Sequence, residues 1–423
     1  MNVIHGDCLE ELKKIDDNSV DAVITDPPYG LSNTKPAQVA DVLAAWVTGE
    51  TEAVPAKRGG FMGADWDSFV PPPAVWQECM RVLKPGGHMA VFAGARTQDL
   101  MGLSIRLAGF EIRDTLGWIY GSGFPKSMDI SKAIDKAAGA EREVIGDSPY
   151  ASRKPNGSAG VASVGLSATP GAKITAPATP EAAKWDGWGT ALKPAIEPII
   201  LARKPLDGTV ANNVLAHGVG GLNIDACRVG TQVSGTRTNG SANDIYGDLS
   251  YTAGKTWEPS AAGRFPANVL LDEHAAKEMD KQSGWSKSPE TTGRGAGGQN
   301  GRYHPIGAQG TVSAPGDSGG ASRFFPVFKY QAKAPKRERP VIEREDGTKI
   351  QHPTVKPLAL LDWLVTLITP PGGLVLDPFA GTGTTLQAAR NKGYRAIGIE
   401  ADTDYIQLIH QRMEGGTPST RNS

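Results

Sequence analysis

The stretch LVLDPFAGTGTTLQAARNKGYRAIGIEADTDYIQLIHQRM, residues 374–413, constrains the fold of this chain more than any other. It reads as strand, Gly-rich turn, helix, strand, acidic turn and helix, a β-α-β-α unit. Such a unit requires a right-handed crossover and a parallel sheet. Two β-α units cannot complete a doubly wound sheet, so further strands must come from elsewhere in the sequence. The N-terminal part supplies candidates: NVIHGD is a short apolar strand, CLEELKKI has helical spacing, and VDAVITD is apolar enough for a strand covered on both faces. A possible short helix falls at 37–47, PAVWQECMRVLKPGG is a helix stopped at Pro-Gly-Gly, and HMAVFAG is a third strand. TQDLMGLSIRLAGF is a further helix, and EIRDTLGWIYGSG a strand pair or hairpin. Read as a circle, the two ends make one domain. The C-terminal segment gives the first and second strands, NVIHGD the third and VDAVITD the fourth.

The middle is less regular. The chain carries 52 glycines and 31 prolines in 423 residues, well above ordinary usage for a globular chain, and 28 of the glycines fall in 145–325. ISKAIDKAAGAEREV is expected as a helix, 147–182 as an inserted Ser/Ala/Gly/Pro-rich loop, and EPIILARKP as a strand. NVLAHGVGGLNID and RFPANVLLD are short apolar runs between polar loops, and LALLDWLVTLI is an amphipathic helix ended by TPPGG.

Composition narrows the class of protein. A formal net charge of -1 provides no global basic field, so a polyanionic partner needs a local patch. The three cysteines, Cys8, Cys79 and Cys227, lack paired metal-ligand spacing, which argues for a reducing cytoplasmic setting without a disulfide framework or a metal site. No run approaches a membrane span, and the first residues carry acids where a signal peptide carries bases.

Two turns carry chemistry. DPFAGTGTT, Asp377 to Thr385, falls between strand and helix, where α/β folds hold nucleotides. Gly381 and Gly383 let a ligand approach the backbone, and Glu400, 17 residues beyond Gly383, suits the hydroxyls of a ribose. A third glycine is missing from the dinucleotide fingerprint, which argues against NAD. The other turn is DPPYG, residues 26–30, at the end of VDAVITD. Proline has no N–H, so its carbonyl can only accept. Asp26 adds a carboxylate, and Pro27 with Pro28 stiffens the turn. Two fixed acceptors match the two hydrogens of a planar –NH2 group, and Tyr29 gives a flat face on which a base can stack. The plainer alternative is a rigid turn with a capping acid.

DPPY followed far downstream by DPFAGTGTT resembles the amino-group DNA methyltransferases, which methylate adenine N6 or cytosine N4. The order, catalytic motif first and cofactor motif last, is similar to their beta group. The resemblance covers about residues 1–130 and 350–413 and implies a circularly permuted Rossmann-like methyltransferase fold using S-adenosylmethionine. It implies a catalytic half at 1–130, an irregular insertion with target recognition at 131–340, a cofactor half at 350–413 and a tail at 414–423. On that resemblance Asp26, Pro27, Pro28 and Tyr29 are catalytic. Asp377, Phe379, Ala380, Gly381, Gly383 and Thr384 line the cofactor, Glu400 binds its ribose, and Asp7 with Cys8 borders its adenine. Thr354 and Lys356 of HPTVKP could meet the methionine carboxylate, although Lys356 could instead cap the following helix.

The family implies double-stranded DNA as partner and a base turned out of the stack. GWIYGSGFPKSMD, 117–129, resembles the stretch beside that base, making Trp118 and Phe124 candidate walls or else core aromatics. From 191 to 340 there are 18 Lys+Arg against 13 Asp+Glu. The densest cluster, Lys329, Lys333, Lys336, Arg337 and Arg339, is either a phosphate-contacting strip or a solvated hinge. Cytosine C5 chemistry is set aside, because it needs a cysteine presented after proline and none of the three is. Asp as the first motif residue resembles the adenine enzymes, whereas many N4 enzymes carry Ser. A silent DNA- or cofactor-binding protein of this fold, and an RNA or protein-amide methyltransferase, are the rival readings. A homodimer and a cognate restriction endonuclease are partners compatible with the family, and no nuclease motif is evident.

Overall fold

The computed structural model describes residues 1–32, 34–55, 67–121, 123, 127–147, 173–230, 237–238, 256–257, 263–287, 291–294, 311–314, 318–328, 340–344, 346–352 and 354–414. These fall into two compact units, 121–195 and the remainder.

The larger unit is built on a nine-stranded sheet. Its strands in chain order are β1 (Asn2–His5), β2 (Val20–Thr25), β3 (Leu83–Phe92), β4 (Glu111–Ile119), β5 (Ile196–Arg203), β6 (Val269–Asp272), β7 (Val327–Phe328), β8 (Leu374–Asp377) and β9 (Arg395–Glu400). In space they run β1-β9-β8-β2-β3-β5-β4-β6-β7. The C-terminal strands β8 and β9 thus lie between the first two N-terminal strands, all parallel, as the circular reading requires. β5 alone runs against its neighbours β3 and β4.

Helices cover both faces, which is why β2 is buried along its whole length. From Ala22 onward its side chains alternate as a strand demands, and a register irregularity between Val20 and Ala22 turns Val20 to the opposite face. Ala22 and Ile24 join the layer under helix Leu358–Ile368, and Val20 and Val23 the layer under helix Pro73–Val82. Two apolar layers on one central sheet hold the carboxyl ends of β1, β9, β8 and β2 in fixed register.

Several elements differ from expectation. The helix expected to run up to Pro-Gly-Gly ends at Val82, and β3 already begins at Leu83 and runs through Pro85, Gly86 and Gly87. EIRDTLGWI forms the single strand β4, with β5 on one side and β6 on the other, instead of a hairpin. The helix expected over ISKAIDKAAGAEREV covers only Ile130–Ala137; Gly139, at φ +64, follows its end, and Val144–Asp147 is a strand. The tripeptide Asn-Val-Leu lies in helix Val210–His217 once, and at its second occurrence Val269 and Leu270 lie in β6, so tertiary context decides its state. Within the stretch expected as an insertion, Ile196–Arg203 lies in the middle of the main sheet.

The smaller unit, 121–195, contains helices Ile130–Ala137 and Pro180–Lys184 and the antiparallel pair Val144–Asp147 and Lys173–Thr175. Its buried Asp135 accepts from Arg142 Nη1 at 2.5 Å, Ala178 N at 3.0 Å and both Thr179 N and Oγ1, at 3.0 and 2.8 Å.

Candidate functional site

β8 ends at Asp377, and the turn after it is held from within. Asp377 is buried, and its Oδ1 accepts from Phe379 N at 3.1 Å and from Thr25 Oγ1 at 2.7 Å. Burial pushes its pKa up to about 6 against the pull of its hydrogen bonds, Thr25 and Thr385 among them. The carboxylate expected to line a cofactor therefore faces the protein and ties the end of β2 to the end of β8. Gly381 and Gly383 have φ of +53 and +74, a region that penalises any side chain, and Gly383 caps helix Thr384–Asn391. Ala380 and Thr384 are buried behind the turn.

Glu400 closes the turn from the neighbouring strand. Its Oε2 accepts from Gly381 N at 2.7 Å and its Oε1 from Asp402 N at 2.9 Å. Burial raises it to about 7, despite these two N–H donors. One strand over, Gly6 N donates to the Glu400 carbonyl at 3.0 Å. Asp7 then caps its helix by accepting from Leu9 N at 2.9 Å and Glu10 N at 3.3 Å. Burial and the adjacent Asp7 push the Cys8 thiol up to about 12, so it acts as a small neutral neighbour rather than a nucleophile. Phe379 is half-buried, its ring 6.4 Å from that of Trp76.

The turn after β2 is held by distant residues. Asp67 Oδ1 accepts from Tyr29 N at 2.7 Å and Gly30 N at 2.9 Å, and Thr97 Oγ1 donates to the Tyr29 carbonyl at 2.6 Å. Gly30 has φ +66, and a Cβ there would stand 2.7 Å from Val70 N, so only glycine fits. The Tyr29 hydroxyl donates to Asp26 Oδ1 at 2.8 Å. Burial, then Asp26 and Glu197, hold the phenol well above its ordinary pKa, keeping it a donor. Pro27 is buried and Pro28 half-buried.

Lys356 also stands here. Its Nζ lies 2.7 Å from Asp26 Oδ2 and 3.4 Å from Glu197 Oε2. It lies 5.2 Å from the Tyr29 ring centre and 5.0 Å from that of Phe92. Burial disfavours the ammonium, but Asp26 and Glu197 more than offset it and raise its pKa. Lys356, expected at a cofactor carboxylate, is thus engaged with the acidic side chain of the other turn. Thr354 is exposed, and both its N and O approach His352 Nδ1, at 3.2 and 3.1 Å. The His352 ring packs edge-on to Tyr405 with centres 4.6 Å apart, beside Gly381.

Both turns open at the carboxyl ends of β2 and β8, adjacent strands joined by the Thr25–Asp377 bond. Residues 26–30 and 377–385 are therefore neighbours although about 350 residues apart in sequence. A family model described as DNA methylase, of the N6/N4 methyltransferase type, matches residues 20–157 and 173–411. The chain belongs to the N6/N4 DNA methylase family. It is 23% identical to the type II methyltransferase M.HindIII of Haemophilus influenzae over 430 residues, 97% of this chain and 94% of that one. It is 42% identical to the type II methyltransferase M2.DpnII of Streptococcus pneumoniae over 64 residues, 15% of this chain and 24% of that relative's length. Superposition on the cytosine-N4-specific PvuII DNA methyltransferase gives a TM-score of 0.42 at 13% identity, covering 100% of this chain and 87% of that one. The complex of M1.HpyAVI with its cofactor gives 0.38 at 14%, covering 97% and 98%.

The methyl donor of an N6/N4 DNA methylase is S-adenosylmethionine. The residues of this chain fit it. A ribose diol needs acceptors, and each Glu400 oxygen keeps a lone pair beyond its backbone bond. The side-chain-free Gly381 and the half-buried Phe379 lie beside that carboxylate.

Of the other expected residues, Trp118 is 4% exposed and packs edge-on against Phe328, ring centres 5.9 Å apart. It packs as a core aromatic, the second of the two readings the sequence left open. Phe124, Lys329, Lys333, Lys336, Arg337 and Arg339 lie outside the described residues. Sequence reasoning missed Thr25, Asp67, Thr97 and Glu197. Only Glu197 left a signal, a lone acid heading the apolar run Pro198–Ala202.

Proposed function

We propose that this N6/N4 DNA methylase transfers a methyl group from S-adenosylmethionine to the N6 amino group of an adenine turned out of double-stranded DNA. The observation that supports this reading is the meeting of the Asp26–Gly30 turn with the Gly381/Glu400 turn at one sheet edge, secured by the 2.7 Å Thr25–Asp377 bond. When bound, S-adenosylmethionine supplies an electrophilic methyl group on a sulfonium.

Asp26 and the proline carbonyls of the turn accept the two amino hydrogens and let the nitrogen bend out of the ring plane, which frees its lone pair. Glu400, Gly381 and Phe379 would hold the donor, whose sulfonium would give up the methyl to that lone pair and retain the carbon–sulfur bonding pair. The proton lost from nitrogen passes to the Asp26 carboxylate and on to water. Asp67 and Thr97 hold the turn in place, so little reorganisation is needed at the reaction step. Adenine is favoured over cytosine because the motif opens with Asp26. The basic stretch Lys329–Arg339 is assigned to DNA phosphates, a role that a steep salt dependence of binding tests.

The deciding experiment is product identification. Protein, S-adenosylmethionine and unmethylated DNA are incubated, and the DNA is digested and examined by mass spectrometry beside Asp26→Ala. N6-methyladenine that disappears in the variant is the expected result. N4-methylcytosine would keep the mechanism and replace the base, and no methylated nucleoside would overturn the reading.

A further inference from the structure

Three charged groups meet at the Asp26 turn, and a mechanism built on Asp26 alone leaves two of them, Lys356 and Glu197, unused. Lys356 Nζ stands between Asp26 Oδ2 at 2.7 Å and Glu197 Oε2 at 3.4 Å, and all three side chains are largely buried, with 11% of Lys356, 24% of Asp26 and 26% of Glu197 exposed. Tyr29 completes a ring, its hydroxyl 2.8 Å from Asp26 Oδ1 and 3.5 Å from Glu197 Oε2. Glu197 comes from the antiparallel strand β5, opposite Trp118 of β4, and belongs to neither ligand turn.

A buried ammonium paired with one carboxylate makes a neutral pair, and a neutralised carboxylate is a weak acceptor. Here two carboxylates share one ammonium, so the cluster keeps a negative charge. Methyl transfer develops positive charge on the amino nitrogen, and a fixed negative charge in a water-poor site stabilises it more than it does in bulk water.

We propose that Glu197 is a positioning residue that shares Lys356 with Asp26 and so leaves the Asp-Pro-Pro-Tyr turn with an uncompensated negative charge for the transfer step. The proposal deepens the methyltransferase reading and rests on it for its kinetic consequence. Its electrostatic core does not depend on that reading, because the Lys356 ammonium can be titrated in the protein alone. The titratable groups facing Lys356 are Asp26 and Tyr29 of the turn, Glu197 of β5 and His352 before helix Leu358–Ile368; Tyr120 lies near Tyr29.

The test has two arms. In the first, NMR follows the Lys356 amine with pH in the full chain without DNA. Glu197→Gln should lower its pKa and Glu197→Asp should hold it close to that of the unchanged protein; an unmoved pKa in Glu197→Gln overturns the proposal. In the second, single-turnover methylation is measured at saturating cofactor. Glu197→Gln should slow transfer about tenfold or more while the KM for DNA changes little. Adding Lys356→Gln to Glu197→Gln removes the ammonium that then neutralises Asp26, returns a net negative charge to the turn and should restore part of the rate. A double variant no faster than Glu197→Gln, or a single variant with the rate of the unchanged protein, overturns the proposal. If the first arm gives the expected shift and the unchanged protein methylates nothing, the charge sharing stands and the methyltransferase reading fails.

Discussion

The two turns at the sheet edge are held in opposite ways. The 377–385 turn is nearly self-sufficient: Asp377 bonds Phe379 two residues on, and Glu400, at the end of the adjoining strand, bonds Gly381. The 26–30 turn depends on Asp67, Thr97, Glu197 and Lys356, which come from four separate parts of the chain. A turn closed by bonds from its own and the adjoining strand can be encoded locally. A turn that must hold a carboxylate partly out of water needs partners converging from several directions, because each buried polar group has to be satisfied.

That contrast can be broken by substitutions that should strike one turn and spare the other. The largest effect is expected from Asp26→Ala, about 10²–10³-fold on the transfer rate, with cofactor affinity from calorimetry close to that of the unchanged protein. If cofactor binding collapsed as well, the turns would not be separable.

Glu400→Gln should do the reverse. It should weaken cofactor binding about ten- to a hundredfold by losing charge-assisted hydrogen bonds, with the rate at saturating cofactor largely kept. Because burial raises Glu400 to about 7, its ionised, better-accepting form is lost as pH falls through that value. Cofactor affinity should therefore drop below pH about 7, and Glu400→Gln should flatten the dependence. Stability of the ligand-free protein should respond with the opposite sign. Folded-state values raised to about 6 at Asp377 and about 7 at Glu400 favour folding below their unfolded values. That contribution is lost as pH rises through them, and chemical denaturation at several pH values would show it.

A smaller effect is expected at Asp67→Ala, which removes the acceptor of two backbone N–H groups, each such bond contributing about 1.5–3 kcal/mol. Transfer should slow about tenfold with cofactor affinity intact; an equal loss of both would mean that the two turns are mechanically one. The smallest is Trp118→Phe, expected to lower stability by about 1–2 kcal/mol and leave the KM for DNA unchanged. A raised KM would return Trp118 to the target pocket.

The unevenness of the sequence reading follows the same contrast. Strand, turn and helix over 374–413 were legible because their signals, apolar runs and the glycines at 381 and 383, are local. That β8 and β9 share one sheet with β1 and β2 was also legible, since two β-α units without a third must complete their sheet elsewhere. By contrast, the middle of the chain hid β5 in the sheet. An eight-residue apolar strand carries no mark of whether it joins the central sheet or a satellite.

Residue type alone set the class of fold, the permuted order of its halves and the two glycine-bearing turns at the sheet edge. Backbone conformations demanding glycine and buried apolar strands are written in residue type. Only the tertiary structure decided that Asp377 faces inward, that Trp118 is core and that Lys356 and Glu197 gather on Asp26. Such pairings depend on which side chains the folded sheet brings within about 3 Å, as hydrogen bonding requires. Spacing along the chain holds no record of that distance.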